Sequence, residues 1–172
     1  MTTKRFLAET GRSPAYWGIL ALIAMTMEAT ALFYQYRLDY WPCVLCIHVR
    51  IWVLGLLATA LFGLGVRHHR RLRVLAHALV AGTGAGLLER SLKLLGVERG
   101  TLEGSCSMDS GLPPWFALDQ WFPWMFKVWE PCGYTPELPL GITMAEALVA
   151  FSALLLAMAL SLTLAALGDR RH

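Results

Sequence analysis

Long apolar runs alternate with short polar stretches along this sequence. The four runs cover residues 15–34, 44–66, 72–88 and 140–167. Each is close to the roughly 20 residues that a helix needs to cross the hydrocarbon core of a bilayer. We therefore predict an all-α integral membrane protein, a four-helix bundle that forms a single domain over residues 1–172.

The first run is long enough to span a bilayer, whereas the third is the weakest candidate span of the four. The first contains one charged residue, Glu28, and is longer than a typical signal-peptide core, so we interpret it as a retained span. The third carries Gly82, Gly84 and Gly86, small residues that allow a neighbouring helix to approach closely. The hydropathy of this run falls by Leu88, after which charged residues begin.

The distribution of basic residues predicts an orientation. Nine Lys and Arg residues lie in the N-terminal lead, in the turn at residues 67–73 and at the C-terminus. The other side carries three, against six acidic residues in the long loop at 97–138. Because basic residues accumulate on the cytoplasmic side, both termini are predicted to be cytoplasmic. The start of the second run and the long loop then lie on the opposite side.

Composition agrees with a membrane protein. Hydrophobic residues make up 56% of the chain, which is too apolar for a soluble domain of this size. The net charge of +3 comes from a few basic clusters without interleaved aromatic residues, so nucleic-acid binding is not predicted.

The long loop contains a dense aromatic segment. Its large apolar residues are Trp115, Phe116, Leu118, Trp121, Phe122, Trp124, Met125, Phe126 and Trp129. Aromatic side chains of this kind collect at the lipid–water interface, so the segment is predicted to lie along the membrane surface. Pro123 argues against one unbroken helix.

The most reactive pattern is a pair of cysteines at the start of the second run. Pro42 suits the first turn of a helix, and a helix that starts there puts Cys43, Cys46 and Arg50 on one face. A helix N-terminus and a nearby cation both favour a thiolate over a thiol. These residues are therefore candidates for a redox-active dithiol.

All four cysteines, which also include Cys106 and Cys132, fall on the predicted non-cytoplasmic side, where disulfides persist. Two static structural disulfides are one interpretation. The Cys-x-x-Cys spacing favours exchange, since so short a loop gains little stability from cross-linking.

Metal and haem sites are weaker interpretations of the same residues. Cys43, Cys46 and His48 could supply three zinc ligands, but Cys106 and Cys132 are 26 residues apart and lack ligand spacing, so no metal is predicted. Covalent haem attachment needs Cys-x-x-Cys-His, and here Ile47 displaces the histidine. His48 points away from the dithiol face of the helix, which fits an interfacial residue.

Two polar residues lie within the first run. Glu28 is an acid inside a span, which is costly and often functional, although it could instead bond a neighbouring helix. Gln35 is one heptad further and shares its face.

In combination, these features resemble the disulfide bond formation protein B (DsbB) family. The resemblance rests on Pro42-Cys43-Val44-Leu45-Cys46 with Arg50, on the second pair around the aromatic loop, and on the four spans. It implies a four-helix bundle in the bacterial inner membrane, with redox cysteines on the periplasmic side. It also implies a bound ubiquinone or menaquinone, and a periplasmic thioredoxin-fold thiol oxidase (DsbA-like) as partner.

The resemblance further implies a role for each site residue. Cys46 would donate electrons to the quinone, and Arg50 would stabilise both the thiolate and the quinone. Cys106 would form the mixed disulfide with the partner, and Cys132 would relay to Cys43. Glu28 and Gln35 match polar positions of the family pattern and are expected near the quinone, in a protein expected to be monomeric.

Three functions from different classes are therefore considered. The first is a quinone-dependent thiol oxidase that supports disulfide bond formation. The second is a non-catalytic membrane scaffold with two structural disulfides. The third is a quinone-linked enzyme of the vitamin K epoxide reductase-like type, although that family usually has its paired motif late in the chain.

Overall fold

A computed structural model describes residues 9–103, 108–138 and 141–168, and most of these are helical. The helices are α1 Pro14–Arg37, α2 Val44–Val66, α3 Arg70–Glu98, α4 Leu118–Trp121, α5 Pro123–Phe126 and α6 Met144–Gly168. A 3₁₀ turn at Pro114–Phe116 precedes α4. Two short strands, β1 Glu137–Leu138 and β2 Ile142–Thr143, pair antiparallel with Glu137 opposite Thr143.

The four long helices pack in a chain of neighbours. Helix α1 contacts α2, α2 contacts α3, and α3 contacts α6. Small residues let the backbones approach: a Cβ at Gly63 would lie 2.2 Å from the Trp17 ring, and one at Gly86 would lie 2.4 Å from the Trp52 ring. The tight α1–α2 and α2–α3 contacts therefore depend on these two glycines.

Three of the long helices, α1, α2 and α6, are long and apolar enough to cross a membrane. Helix α3 has the length but carries arginines in its first turn and the charged residues Glu89, Arg90 and Lys93 near its other end. The coarse prediction of a multi-span helical membrane protein is thus confirmed by three spans.

Helix α3 extends beyond the third apolar run. Helix α3 continues past Leu88 to Glu98, because the charged stretch supports the helix instead of ending it. Glu89 forms ion pairs with Arg90 and, one turn on, with Lys93. Leu94 then returns to the apolar interior, so the helix extends well beyond the hydrophobic run.

Two helix starts are set by capping contacts. Helix α2 begins at Val44, where the second run begins, and the Cys43 sulfur caps it by accepting the N–H of Cys46, so that Pro42 lies before the helix. Helix α6 begins at Met144, several residues after the predicted start at 140. There Thr143 and Glu146 form a reciprocal capping box, in which each side chain accepts the other's backbone N–H.

The aromatic segment is broken at Pro123, as predicted. Trp115, Trp121 and Trp124 are exposed, while Met125 and Phe126 are buried. The segment thus packs one side against the helices and presents a row of indole rings outward, which suits a membrane interface.

Candidate redox site

Three sulfur atoms meet at the N-terminus of α2. The Sγ atoms of Cys43 and Cys46 are 2.8 Å apart, and Cys43 Sγ also accepts the Cys46 backbone N–H at 3.4 Å. Cys132, which lies 89 residues after Cys43 in the chain, lies beside these two sulfurs, where the Cys43 thiol and the backbone N–H groups of Val44 and Leu45 can donate hydrogen bonds to its thiolate. The free N–H groups of one helix start therefore serve two of the sulfurs.

The pKa values of Cys43 and Cys132 are shifted in opposite directions. The hydrogen bond from Cys43, together with the two backbone N–H groups, lowers the pKa of Cys132 to about 6. The same hydrogen bond, with a second one to Cys46 and with burial, raises the pKa of Cys43. Cys43 is thus a thiol donor and Cys132 a thiolate acceptor near neutral pH.

The segment that carries Cys132 is fixed on both sides. Before it, the Trp129 N–H donates to the Pro42 carbonyl oxygen at 3.0 Å. After it, the buried Thr135 hydroxyl donates to Glu98 Oε2 at 2.7 Å, at the end of α3. The segment of Cys132 is therefore anchored to the residues just before α2 and to the end of α3.

Arg50 is buried, with 5% of its surface exposed, and makes three hydrogen bonds. Its guanidinium donates to Gln35 Oε1 at 2.7 Å, to the Met125 carbonyl at 2.6 Å and to the Ala31 carbonyl at 3.3 Å. Gln35 in turn donates to the Trp124 carbonyl at 3.2 Å. Arg50 and Gln35 thus bind the aromatic segment to α1 and α2.

Arg50 also separates two cavities. On one side, a pocket of about 80 Å³ is lined by Cys43, Cys46 and Arg50. On the other, a groove of about 440 Å³ opens between α1 and α6, with α2 behind it. The groove is mostly apolar; its lining includes Leu22, Ile23, Met27, Val53, Ala147 and Phe151. Because Arg50 and Val49 line both cavities, the dithiol pocket and the groove meet at this point.

The two polar candidates of α1 lie in different places. Glu28 lines the groove, is 7% exposed, and neither of its oxygens has a hydrogen-bond partner among the residues that the structure describes. Gln35 is 1% exposed and does not line either cavity among the described residues. Its side chain instead accepts a hydrogen bond from Arg50. Glu28 is therefore available to a ligand, whereas Gln35 positions Arg50.

Sequence reasoning missed some residues that hold the site together. Nε2 of His48 donates to the Ser110 carbonyl at 2.9 Å, so this residue, which was expected only at the interface, ties the loop to α2. Thr135 was not considered at all, and no local motif marks it. Cys106, the predicted contact for the partner, lies outside the described residues.

Fold and site together define a class: a membrane-embedded oxidoreductase that works through cysteine thiols. Comparison with known proteins is more specific. The family model described as "Disulfide bond formation protein DsbB" matches residues 13–162. Disulfide bond formation protein B of Shewanella amazonensis is 38% identical over 146 residues, which cover 82% of this chain and 85% of that protein.

Two further relatives carry the same description. The protein of Shewanella loihica is 36% identical over 154 residues, with 88% of this chain and 90% of that protein covered. The protein of Aeromonas salmonicida is 34% identical over 153 residues, with 88% of each chain covered. The chain therefore belongs to the DsbB family and is a disulfide-generating oxidoreductase of the membrane.

Proposed function

We propose that this protein oxidises a periplasmic thioredoxin-fold thiol oxidase and passes the electrons to a membrane quinone, ubiquinone or menaquinone. The observation that carries the proposal is the junction at Arg50, where a cluster of three sulfurs adjoins an apolar groove between α1 and α6. Thiol exchange needs the first feature, and a lipid-soluble electron carrier needs the second.

The proposed route runs through the sulfurs in one order. Cys106 forms the mixed disulfide with the partner, Cys132 passes the oxidising equivalents on from Cys43, and Cys46 faces the quinone. The contact between Cys132 and Cys43, and the 2.8 Å between Cys43 and Cys46, support the last two exchanges. In the first, the Cys132 thiolate attacks Cys43 of the Cys43–Cys46 disulfide and Cys46 leaves, and a Cys132 thiolate near neutral pH suits that attack. In the second, the Cys43–Cys46 disulfide re-forms and its two electrons would go to the quinone.

The direction of electron flow requires an acceptor other than a thiol. The reduction potential of periplasmic oxidases of the DsbA type is about −120 mV. A dithiol at about −300 mV would be unable to oxidise them, because the difference is roughly 8 kcal/mol for two electrons. A quinone supplies the missing two-electron sink.

The residues present fit a quinone head group. The groove volume of about 440 Å³ is within the range of about 300–1,000 Å³ typical of small-molecule sites. Its walls are apolar, while Glu28 and the edge of Arg50 offer polar contacts. Arg50 would hold the head group next to Cys46, and Gln35 would hold Arg50 in place.

The proposed membrane arrangement follows the charges. Helix α3 would complete a four-helix bundle as the fourth span, with both termini in the cytoplasm of a bacterium and the sulfur cluster at the periplasmic face of the inner membrane. The arginines at the start of α3 support this orientation.

The test is anaerobic mixing of the purified protein with a reduced thioredoxin-fold partner and a short-chain ubiquinone analogue. We expect one quinol per partner dithiol oxidised. Cys46→Ser should abolish quinol formation from any thiol. Cys106→Ser should abolish it with the protein partner but retain it with a small dithiol that can reach the inner pair directly. Quinol formation by Cys46→Ser, or none by the unchanged protein, would refute the proposal.

A further inference from the structure

The groove between α1 and α6 contains one carboxyl group that nothing in the described protein satisfies. We infer that Glu28 holds a proton in this groove and donates an O–H hydrogen bond to a carbonyl oxygen of the bound quinone. This inference rests on the proposed function and adds a proton transfer to the electron transfer proposed for the same site.

Burial argues for the neutral acid. An ionised carboxylate needs several hydrogen-bond donors when it leaves water, and a buried one without donors is strongly disfavoured. Glu28 has no donor among the residues that the structure describes, and its surroundings in the groove are mostly aliphatic and aromatic. A protonated carboxyl group needs only one acceptor for its O–H, which a quinone carbonyl provides.

Arg50 is the protein residue that could pair with the Glu28 carboxyl group in place of a ligand. It is the other charged residue in the described lining of the groove, and a positive charge close to a carboxyl group favours its ionised form. Its hydrogen bonds, however, go to neutral oxygens of Gln35, Met125 and Ala31. No ion pair joins Arg50 to Glu28 in the described part of the chain, so the carboxyl group is left for a ligand.

The proton also balances the reaction. Oxidation of the Cys43–Cys46 dithiol to a disulfide releases two electrons and two protons, and reduction of a quinone to a quinol takes up the same number of each. Glu28 can give up its Oε proton at the quinone and regain one of the protons released at the dithiol. Arg50 lines both cavities, so the two sites adjoin at its side chain.

Infrared difference spectroscopy tests the proton directly. The unchanged protein should show the C=O stretch of a protonated carboxyl group that is missing in Glu28→Gln, and a ubiquinone analogue should shift this band to lower frequency. Glu146→Gln is the matched control: Glu146 pairs with Arg99 at 2.7 Å, is ionised, and should leave the band unchanged. If Glu28→Gln instead lost bands of an ionised carboxylate, Glu28 would be ionised and the inference would be overturned. A protonated-carboxyl band that does not shift when the analogue binds would also overturn it.

Binding of the analogue, followed by quenching of tryptophan fluorescence without turnover, is the second readout. Glu28→Gln keeps an N–H donor and should change the Kd by less than about threefold. Glu28→Leu removes the donor and should raise the Kd about tenfold or more. Equal Kd values for the two variants would contradict the hydrogen bond. If the unchanged protein did not bind the analogue, the proposed function would fail, while the infrared band would still report whether Glu28 is protonated.

Discussion

The two ends of the helical packing differ in how far their buried hydrogen bonds reach along the chain. At the cysteine end, where α1 ends and α2 begins, Arg50 and Gln35 hydrogen bond to loop carbonyls far along the chain and to each other. At the far end, where α1 begins, Tyr16 and His77 are buried without a side-chain hydrogen-bond partner in the described part of the chain. There His77 stacks on Trp17, with ring centroids 4.8 Å apart.

The difference indicates what each end does. Buried hydrogen bonds that link distant segments fix geometry. The stacked rings of the far end mainly fill space, and the hydrogen bond of the Trp17 indole N–H, to the Gly11 carbonyl at 3.1 Å, is a local one. The cysteine end holds three sulfurs and a loop in a defined arrangement, and the far end closes the packing. Mutations should therefore be much more damaging at the cysteine end.

The largest effect is expected for Arg50→Ala. The change leaves buried oxygens of Gln35 and Met125 without their donor, so the free energy of unfolding should fall by about 2–4 kcal/mol. Reduction of added quinone should also slow. Denaturant unfolding in detergent and trypsin cleavage at Lys127 in the aromatic segment are the measurements.

Arg37→Ala is the control, because Arg37 is exposed in the last turn of α1. It should change the free energy of unfolding by less than about 0.5 kcal/mol. Equal stability of the two variants would show that Arg50 does not anchor the loop.

The next effect concerns pH. In reduced protein with Cys46→Ser and Cys106→Ser, the ultraviolet absorbance of the Cys132 thiolate should titrate at about pH 6. Adding Cys43→Ala removes the donor, so the pKa of Cys132 should rise toward the ordinary thiol value of about 8.5. Adding Cys43→Ser keeps an O–H donor and should leave the pKa lowered.

The sign of the coupling to stability follows from the same shift. The folded pKa of Cys132 is below the unfolded value, so the thiolate stabilises the reduced fold fully above the unfolded pKa. This contribution is lost as the pH falls through about 6. If the pKa of Cys132 were the same with and without Cys43→Ala, the hydrogen bond between the two sulfurs would be contradicted.

A smaller effect is expected for Thr135→Val. Loss of the hydrogen bond to Glu98 should cost about 1–2 kcal/mol in the free energy of unfolding and slow formation of the Cys43–Cys132 disulfide. Thr163→Val is the control, since the Thr163 hydroxyl bonds only the Ala159 carbonyl of its own helix among the described residues. An unaltered rate of disulfide formation would mean that Thr135 does not position Cys132.

The smallest effect compares two tyrosines of α1. Tyr36 donates its hydroxyl proton to the Trp124 carbonyl, so Tyr36→Phe should cost about 0.5–1.5 kcal/mol. Tyr16 has no such partner at the far end, so Tyr16→Phe should be neutral or slightly stabilising. Thermal unfolding of both variants measures the contrast, and a loss of stability in Tyr16→Phe alone would reverse it.

Local features of the chain were predicted well because local physics controls them. Apolar runs long enough for a bilayer marked α1, α2 and α6, and Pro123 marked the break in the aromatic segment. The third apolar run did not mark the end of its helix, because hydropathy falls at Glu89 while α3 continues to Glu98 with ion pairs of its own. The Thr143-x-x-Glu146 pattern that starts α6 was present in the sequence and was overlooked.

The sequence by itself determined which elements form and which of them carry sulfur, since helix length, proline position and cysteine spacing act over a few residues. Only the tertiary structure decided what the polar side chains meet. Arg50 finds its acceptor at Met125, 75 residues away, and Cys132 reaches the start of α2. Glu28 is left without a partner because α6 packs on α3 and leaves the groove beside α1 open. Such contacts depend on how whole helices pack, which no local pattern encodes.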